Sequence, residues 1–241
     1  MLKIANHTAY HKAAARELVL ALDGFELDAD LTLTIEDSGI ALATDLHGQL
    51  TRFEYAFDES RLLQRARQKN QALLRACDNR KGAINTIVDL TAGWARDSFI
   101  LAAQGKGVTL IEHHPLVSHC LAYLKAIAQD GDVGSILSRL DLRHGNSLDY
   151  LQQASEEQAD CLYLDPMFPA HKSQARPGKE LQILQLLTDN MDMQSLFEYA
   201  LKSACQRVVV KRPLHAPPLD EQKPDIVYKE KTIRFDVYLG A

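Results

Sequence analysis

From residue 84 onward, short apolar runs alternate with stretches whose apolar residues follow helical spacing. The apolar runs span residues 84–90, 107–112, 139–143, 159–164 and 207–212. Strands that alternate with helices of this length form a parallel sheet with helices on both faces. Residues 225–229 and 234–239 follow as a predicted hairpin. We therefore predict an α/β fold with a mostly parallel sheet of seven strands.

The N-terminal third of the chain has a different pattern. Residues 7–22 follow helical spacing, and three later segments alternate apolar with polar side chains. These segments lie at 31–35, 40–44 and 50–57. Such alternation between turn residues is typical of a small β meander. We expect two units: an α+β subdomain at residues 1–80, which includes a basic segment, and the parallel-sheet domain at residues 81–241.

The basic segment at residues 61–75 carries the densest positive charge in a chain whose net charge is −5. Its cations are Arg61, Arg65, Arg67, Lys69 and Arg75. The pattern is compatible with the solvated face of an amphipathic helix. The alternative is a local patch that binds phosphate groups, in which Arg65, Arg67 and Lys69 contact a nucleic acid.

The cysteines and the N-terminal residues indicate the compartment that we expect. None of the four cysteines belongs to a C-x-x-C pair, so we interpret them as small core residues in a reducing, cytoplasmic protein. The first residues lack the apolar core of a signal peptide, and no uncharged run is long enough to span a bilayer. His113 and His114 are adjacent and have no carboxylate at ligand spacing, so we expect neither a metal nor a membrane partner.

Candidate ligand-binding residues follow the first three predicted strands. Asp89 precedes a glycine turn, where Gly93 allows the backbone to approach a ligand closely. Glu112 ends the second strand about twenty residues later, where an acidic side chain can accept both hydroxyls of a ribose. Asn146 and Ser147 follow the third strand, and an amide there can contact an adenine edge. This set fits a nicotinamide dinucleotide or S-adenosylmethionine, although the turn lacks G-x-G-x-x-G.

The fourth predicted strand ends in the sequence D-P-M-F-P, which begins at Asp165. Ligands of open α/β sheets bind beyond the carboxyl ends of the strands, and Pro166 makes the backbone at this corner rigid. A planar base with an amino group could stack on Phe168 and donate its N–H groups to Asp165. This corner favours methyl transfer to nitrogen, in which orientation of the amine supplies the catalysis. An ordinary Asp-Pro turn is the alternative.

The fifth predicted strand ends in Lys211 and Arg212. These cations could simply terminate the strand, or they could hold a phosphate beside a flipped base.

Five motifs together resemble a known family. They are V-D-L-T-A-G-W-A-R-D, L-I-E-H-H-P, H-G-N-S-L, Y-L-D-P-M-F-P and V-V-V-K-R-P-x-x-A-P-P-L. In this order they resemble the RsmJ family of bacterial guanine-N2 methyltransferases, which act on guanine 1516 of 16S ribosomal RNA. The resemblance covers about residues 84–240 and is weaker over the meander.

The resemblance implies a Rossmann-like class I methyltransferase fold, S-adenosylmethionine as cofactor, and 16S ribosomal RNA or the small ribosomal subunit as partner. It also implies a set of residues that contact or line the cofactor pocket. These residues are Arg96, Asp97, Glu112, His113, Asn146, Ser147 and Asp165.

Two positions depart from the family pattern. Ala95 stands where the family has a second glycine, which is harmless if its φ is negative and otherwise tightens the pocket. Residues 65–70, R-A-R-Q-K-N, replace a glycine-rich segment and supply basic side chains instead.

Two other functions are compatible with parts of the sequence. A nicotinamide-dependent oxidoreductase would share the fold, but the chain lacks a tyrosine–lysine pair near the glycine turn. An S-adenosylmethionine-binding RNA chaperone without activity is the second alternative, and the intact Asp165-Pro166 pair argues against it. The sequence leaves open the oligomeric state and whether free RNA or the assembled subunit is the substrate.

Overall fold

A smaller sheet forms from the N-terminal residues of the chain. The structure is a computed structural model that describes residues 1–27, 29–46, 48–78, 84–153, 159–166, 178–187, 192–203 and 205–240. The smaller sheet contains β1 (Leu2–Asn6), β2 (Leu31–Glu36), β3 (Gly39–Leu46) and β4 (Gln49–Tyr55) in that order, and helix α1 (Lys12–Ala21) follows β1. Strands β2, β3 and β4 pair antiparallel, so the predicted meander is confirmed.

The start of the chain differs from the prediction. Strand β1 pairs parallel with β2 and had no counterpart in the sequence analysis. The helix begins at Lys12 rather than at residue 7. The physical reason lies in the turn after β2, where the Asp37 carboxylate accepts the backbone N–H groups of Ala9, Tyr10 and His11. These bonds hold the three residues in a loop and delay the helix.

The larger sheet has seven strands. They are β5 (Thr86–Asp89), β6 (Gly107–Glu112), β7 (Leu140–His144), β8 (Cys161–Leu164), β9 (Arg207–Pro213), β10 (Ile226–Lys229) and β11 (Ile233–Leu239). Their order is β10-β11-β9-β8-β5-β6-β7. Neighbours from β9 to β7 pair parallel, and β10–β11 is an antiparallel hairpin. The predicted mostly parallel sheet and its closing hairpin are therefore confirmed.

Eight further α-helices follow the smaller sheet within the described residues. They are α2 (Ser60–Ala66), α3 (Ala72–Ala76), α4 (Arg96–Ala103), α5 (Pro115–Ile127), α6 (Gly131–Leu137), α7 (Ser147–Gln153), α8 (Lys179–Leu187) and α9 (Met193–Lys202). The basic segment thus forms two short helices. The buried Gln71 side chain lies between them and donates to the carbonyls of Arg65 and Gln68 at 2.7 and 2.8 Å. No helix in these described ranges is long and apolar enough to cross a membrane.

Alternate residues of the central strands face two separate cores. In β8, Cys161 and Tyr163 belong to one buried cluster, whereas Leu162 and Leu164 belong to another that includes Phe197 of α9. This period of two places helices on both faces of the sheet. The chain runs from β5 outward through β6 to β7 and then returns to β8 on the other side of β5. A crevice for ligands forms where the strand order reverses in this way.

Aromatic side chains join the smaller sheet to the turn after β5. The Tyr55 hydroxyl donates to the Trp94 carbonyl at 2.6 Å, and the rings of Phe53 and Trp94 lie 5.3 Å apart. The buried cluster that contains Cys161 and Tyr163 includes residues of both sheets, such as Leu33 and Leu110. The proposed division between residues 80 and 81 lies outside the described residues.

The hydrogen bond from Tyr55 to Trp94 provides a test of this junction. Tyr55→Phe should lower the free energy of unfolding by about 1–2 kcal/mol, because it leaves a buried carbonyl without its donor. Urea unfolding would measure this change, with Tyr10→Phe as the matched control because Tyr10 is 87% exposed. Equal stability of the two variants would contradict the proposed role of the bond.

Candidate active site

The glycine turn connects β5 to α4 and contains two residues with left-handed backbone. Gly93 has a φ of +49° and Ala95, which caps α4, has a φ of +55°. A negative φ would make Ala95 harmless at this position, but its φ is positive, so its backbone conformation is strained. A non-glycine residue in this region costs roughly 1–2 kcal/mol. The backbone N–H of Ala95 donates to the Ala92 carbonyl at 2.7 Å and closes the turn.

Asp89 supports this turn from the end of β5. Its buried carboxylate accepts the backbone N–H of Thr91 at 3.0 Å and the hydroxyl of Ser98 in α4. Burial raises the pKa of Asp89 to about 7, although both hydrogen bonds lower it. The residue that was predicted to bind the cofactor therefore holds the strand, the turn and the helix together.

Glu112 lies on the other side of the turn, at the end of β6. Its carboxylate accepts the backbone N–H groups of Gly93 and His114, each at 2.8 Å. Burial raises its pKa to about 7 against these hydrogen bonds. The His113 Nδ1 atom lies 3.4 Å from Glu112 Oε1. The His113 backbone N–H also acts on this carboxylate, so of its about four acceptor positions roughly one remains for a hydroxyl group.

Asn146 and Ser147 lie where β7 ends and α7 begins. The Asn146 side-chain oxygen accepts the backbone N–H of Leu148 at 2.8 Å, so its NH2 group is the part suited to an additional acceptor. The buried Ser147 hydroxyl donates to the Leu90 carbonyl, which joins α7 to the end of β5. Ser147 therefore fixes the geometry of this edge through a bond within the protein.

The register of the sheet places Asp165 beside Lys211. Leu164 of β8 pairs with Val210 of β9, so the residues that follow them are neighbours. The Lys211 Nζ atom lies 2.7 Å from Asp165 Oδ2 and 2.7 Å from Asp97 Oδ2 in the first turn of α4. One ammonium group thus bridges carboxylates from two different elements, and we call these three residues the Lys211 bridge.

Two further groups complete the Lys211 bridge. The Tyr163 hydroxyl donates to Asp97 Oδ2 at 2.8 Å, and the Arg65 Nη2 atom lies 3.6 Å from Asp97 Oδ1. The Asp165 backbone N–H donates to the Thr91 hydroxyl oxygen at 2.6 Å, which joins this corner to the glycine turn. The ends of β5, β8 and β9 are therefore held at one place.

The charges within the bridge act on each other. Burial raises the pKa of Asp97, but Lys211, Arg65 and Tyr163 together lower it by more. The pKa of Asp97 therefore lies below its usual value. Burial lowers the pKa of Lys211, but the two carboxylates raise it more, so the ammonium form persists. Burial raises the pKa of Asp165, Lys211 lowers it and Asp97 raises it, with a net upward shift. The Asp165 side chain is 38% exposed and is the carboxylate of the pair more open to a ligand.

Other residues that were predicted for the site have different surroundings. Arg96 is paired with Glu59 at 3.0 Å and with Glu180 at 2.8 Å, and its guanidinium lies 4.6 Å from the centroid of the Tyr55 ring. The buried Arg212 side chain donates to the Pro217 carbonyl.

The remaining predicted residues divide into three groups. Pro166 is buried beside Asp165, Arg67 and Lys69 are exposed, and Phe168 lies outside the described residues. Thr91 and Tyr163 contact the site although the sequence predicted no role for either. A signal for Tyr163 existed, because the period of two along a strand places it on the same face as Asp165. Among the described residues, no group of three or more His, Cys, Asp or Glu side chains could hold a metal ion.

Known proteins resemble this chain in sequence and in fold. A family model described as "Putative SAM-dependent methyltransferase" matches residues 17–240. The chain is 36% identical to ribosomal RNA small subunit methyltransferase J of Thioalkalivibrio sulfidiphilus over 234 residues, which are 95% of this chain and 92% of that protein. It is 41% identical to the protein of the same name from Tolumonas auensis over 174 residues, which are 71% and 70% of the two chains.

A solved structure is also similar over almost the whole chain. The crystal structure of a SAM-dependent methyltransferase from Neisseria gonorrhoeae has a TM-score of 0.72 and 30% identity, and the match covers 99% of this chain and 96% of that one. The fold is therefore that of a Rossmann-like class I methyltransferase, as the resemblance implied. The cofactor is S-adenosylmethionine, and the comparisons favour methyl transfer over the oxidoreductase and the inactive chaperone.

The raised pKa of Glu112 predicts a dependence of stability on pH. A carboxyl group whose pKa is higher in the folded protein stabilises the fold below its unfolded pKa of about 4.5, and this contribution is lost as the pH rises through about 7. Without cofactor, the native protein should lose roughly 2–3 kcal/mol more than Glu112→Gln between pH 4.5 and pH 8. Urea unfolding at both pH values measures the difference, and Asp89 titrates in both proteins. Equal losses of stability in the native protein and the variant would contradict the raised pKa of Glu112.

Proposed function

The chain belongs to the ribosomal RNA small subunit methyltransferase J family, and from this premise we propose that it methylates the exocyclic N2 amine of a guanine in 16S ribosomal RNA. Methyl transfer from S-adenosylmethionine to small-subunit ribosomal RNA is the activity of the family. The guanine, its N2 atom and the roles of individual residues are the proposal. The observation that supports it most is the partly exposed Asp165 carboxylate, held by Lys211 at the strand-order reversal.

The edge formed by β5, β6 and β7 suits the cofactor. S-adenosylmethionine supplies an electrophilic methyl group on a sulfonium centre. Glu112 can accept a ribose hydroxyl, because backbone N–H groups already orient its carboxylate. Asn146 can donate to the adenine with its NH2 group. The left-handed backbone at Gly93 lets the turn approach the methionine part closely.

The edge formed by β8 and β9 suits the base that is methylated. A free guanine amine is a poor nucleophile, since its lone pair is delocalised into the ring. If Asp165 accepts one of its N–H groups, the carboxylate can hold the nitrogen so that the lone pair faces the methyl group. This is catalysis by orientation and electrostatics, and no metal ion is required.

Asp165 can also take up the proton that the reaction releases. As the N–C bond forms and the S–C bond breaks, the amine nitrogen becomes cationic and must lose one proton. The upward-shifted pKa of Asp165 makes its carboxylate a better proton acceptor than an ordinary aspartate. The products are N2-methylguanosine in the RNA, S-adenosylhomocysteine and one proton.

Lys211 suits a positioning role more than the phosphate contact that the sequence suggested. Its ammonium is 2.7 Å from each of two carboxylates, and its side chain is 22% exposed. Phosphate contacts are better supplied by Arg65, Arg67 and Lys69, which are all exposed, and Arg65 lies 3.6 Å from Asp97. Arg212 instead shapes the loop after β9 through its bonds to Pro217.

Asp165→Asn tests the proposed chemistry directly. The variant keeps the size of the side chain but removes its charge and one acceptor, so turnover on 16S ribosomal RNA should fall by about 100-fold or more. Tritiated-methyl transfer measures turnover, and mass spectrometry of the nucleosides identifies the product. We expect N2-methylguanosine from the native protein. Full activity of the variant, or a methyl group on a ring carbon or a ribose oxygen, would refute the mechanism.

Lys211→Met tests the positioning role through the pH profile. Without the cation, the pKa of Asp165 should rise further, because Asp97 then acts on it without compensation. Methyl transfer should fall about tenfold or more at pH 7 and recover partly toward pH 9. The acidic limb of the pH–rate profile therefore moves to higher pH. Lys202→Met is the control, since Lys202 is 72% exposed on α9. An unshifted profile with weaker RNA binding would indicate a phosphate contact instead.

A further inference from the structure

A polar cleft opens between the basic segment and the hairpin. Its volume is about 490 Å³. Residues that line it include Arg65, Gln68, Asn70 and Arg75 from the basic segment, and Glu230 and Thr232 from the hairpin turn. None of these residues belongs to the cofactor edge described above. A volume of this size falls in the range of small-molecule sites, so the cleft can hold a ligand about as large as one nucleotide.

Internal contacts fix the walls of this cleft. The Gln71 amide donates to the carbonyls of Arg65 and Gln68 and sets the path of the chain between α2 and α3. Glu230 accepts the backbone N–H of Ala72 at 3.3 Å across the cleft. The Arg75 guanidinium lies 5.4 Å from the centroid of the Tyr228 ring in β10. A wall that is already ordered loses little entropy when it binds a ligand.

The lining matches the edge of a base together with its phosphate. The amides of Gln68 and Asn70 offer both donors and acceptors, and the Glu230 carboxylate can accept from a base amino group. Arg65 and Arg75 can bind phosphate oxygens or stack on a base. A site for an inorganic anion would not need the amides, and Glu230 would repel such an anion. Unpaired bases are the parts of RNA that proteins read by such contacts.

Arg65 connects this cleft to the catalytic corner. Its guanidinium lines the cleft and lies 3.6 Å from Asp97, which the Lys211 ammonium joins to Asp165. A nucleotide in the cleft would therefore be close, along the RNA strand, to a base that lies at Asp165. We propose that the cleft binds an unpaired nucleotide adjacent to the target base of the RNA. This inference rests on the proposed function and extends it to the recognition of the surrounding sequence.

The test combines protein variants with altered RNA. Labelled 16S ribosomal RNA fragments, with the target guanine and its unpaired neighbours, are titrated by fluorescence anisotropy in the presence of S-adenosylhomocysteine. The variants are the double change Gln68→Ala with Asn70→Ala, and Arg75→Ala. Arg16→Ala on α1 is the control for loss of an exposed cation. All the substituted side chains are exposed, so the fold should be retained, and thermal unfolding checks this.

If the cleft side chains contact an unpaired base, the variants should show a specific pattern of RNA affinities. The double variant should bind about 5- to 50-fold more weakly. Arg75→Ala should reduce the salt dependence by about one unit of slope, and Arg16→Ala should change neither quantity. An abasic residue beside the target should weaken binding to the native protein but cause much less additional loss in the double variant. Unchanged affinity in the variants, or an equal abasic penalty in the native protein and the double variant, would overturn the inference.

The same preparations separate this inference from the function on which it rests. Tritiated-methyl transfer by the native protein is measured on free 16S ribosomal RNA and on small ribosomal subunits. Transfer to either substrate, together with unaffected cleft variants, overturns the cleft proposal alone. Absence of transfer to both substrates would overturn the proposed function, and the cleft proposal with it.

Discussion

One ammonium group between two carboxylates determines the geometry of the corner where β8 and β9 end. Lys211 on β9 lies 2.7 Å from Asp97 on α4 and 2.7 Å from Asp165 after β8. A buried carboxylate without a partner would be costly, and so would an isolated buried ammonium. The three side chains therefore stabilise one another only when the strand ends and the helix start are correctly placed. The chemistry that we assign to Asp165 depends on this arrangement.

A second pair of carboxylates supports the strained turn beside that corner. Asp89 accepts an N–H from one side of the turn and Glu112 accepts an N–H from the other. Both carboxyl groups have a pKa of about 7 because they are buried. The left-handed backbone at Ala95 is tolerated because these contacts hold the turn in place. Strain and carboxyl burial thus coincide at the edge that suits the cofactor.

Local patterns predicted much of this architecture, since strands, helices and turns have short sequence periods. The alternation after residue 84, the meander and the hairpin are confirmed, and the acidic residues at the strand ends do lie on one edge. The pattern could not reveal partners that are distant in sequence. Lys211 and Asp97 are 114 positions apart, and Arg96 is 84 positions from Glu180. Such pairs depend on tertiary packing, so the sequence alone left a phosphate contact open as one of two roles for the basic strand end.

A double-mutant cycle between Asp97 and Lys211 tests the central claim most directly. The methyl-transfer rate of Asp97→Asn, Lys211→Met and the double variant is measured at saturating S-adenosylmethionine. If the two residues act as one unit on Asp165, the double variant should be no slower than the slower single variant, with a coupling energy of about 1 kcal/mol or more. Losses that simply multiply would show that the residues act independently and would contradict the account.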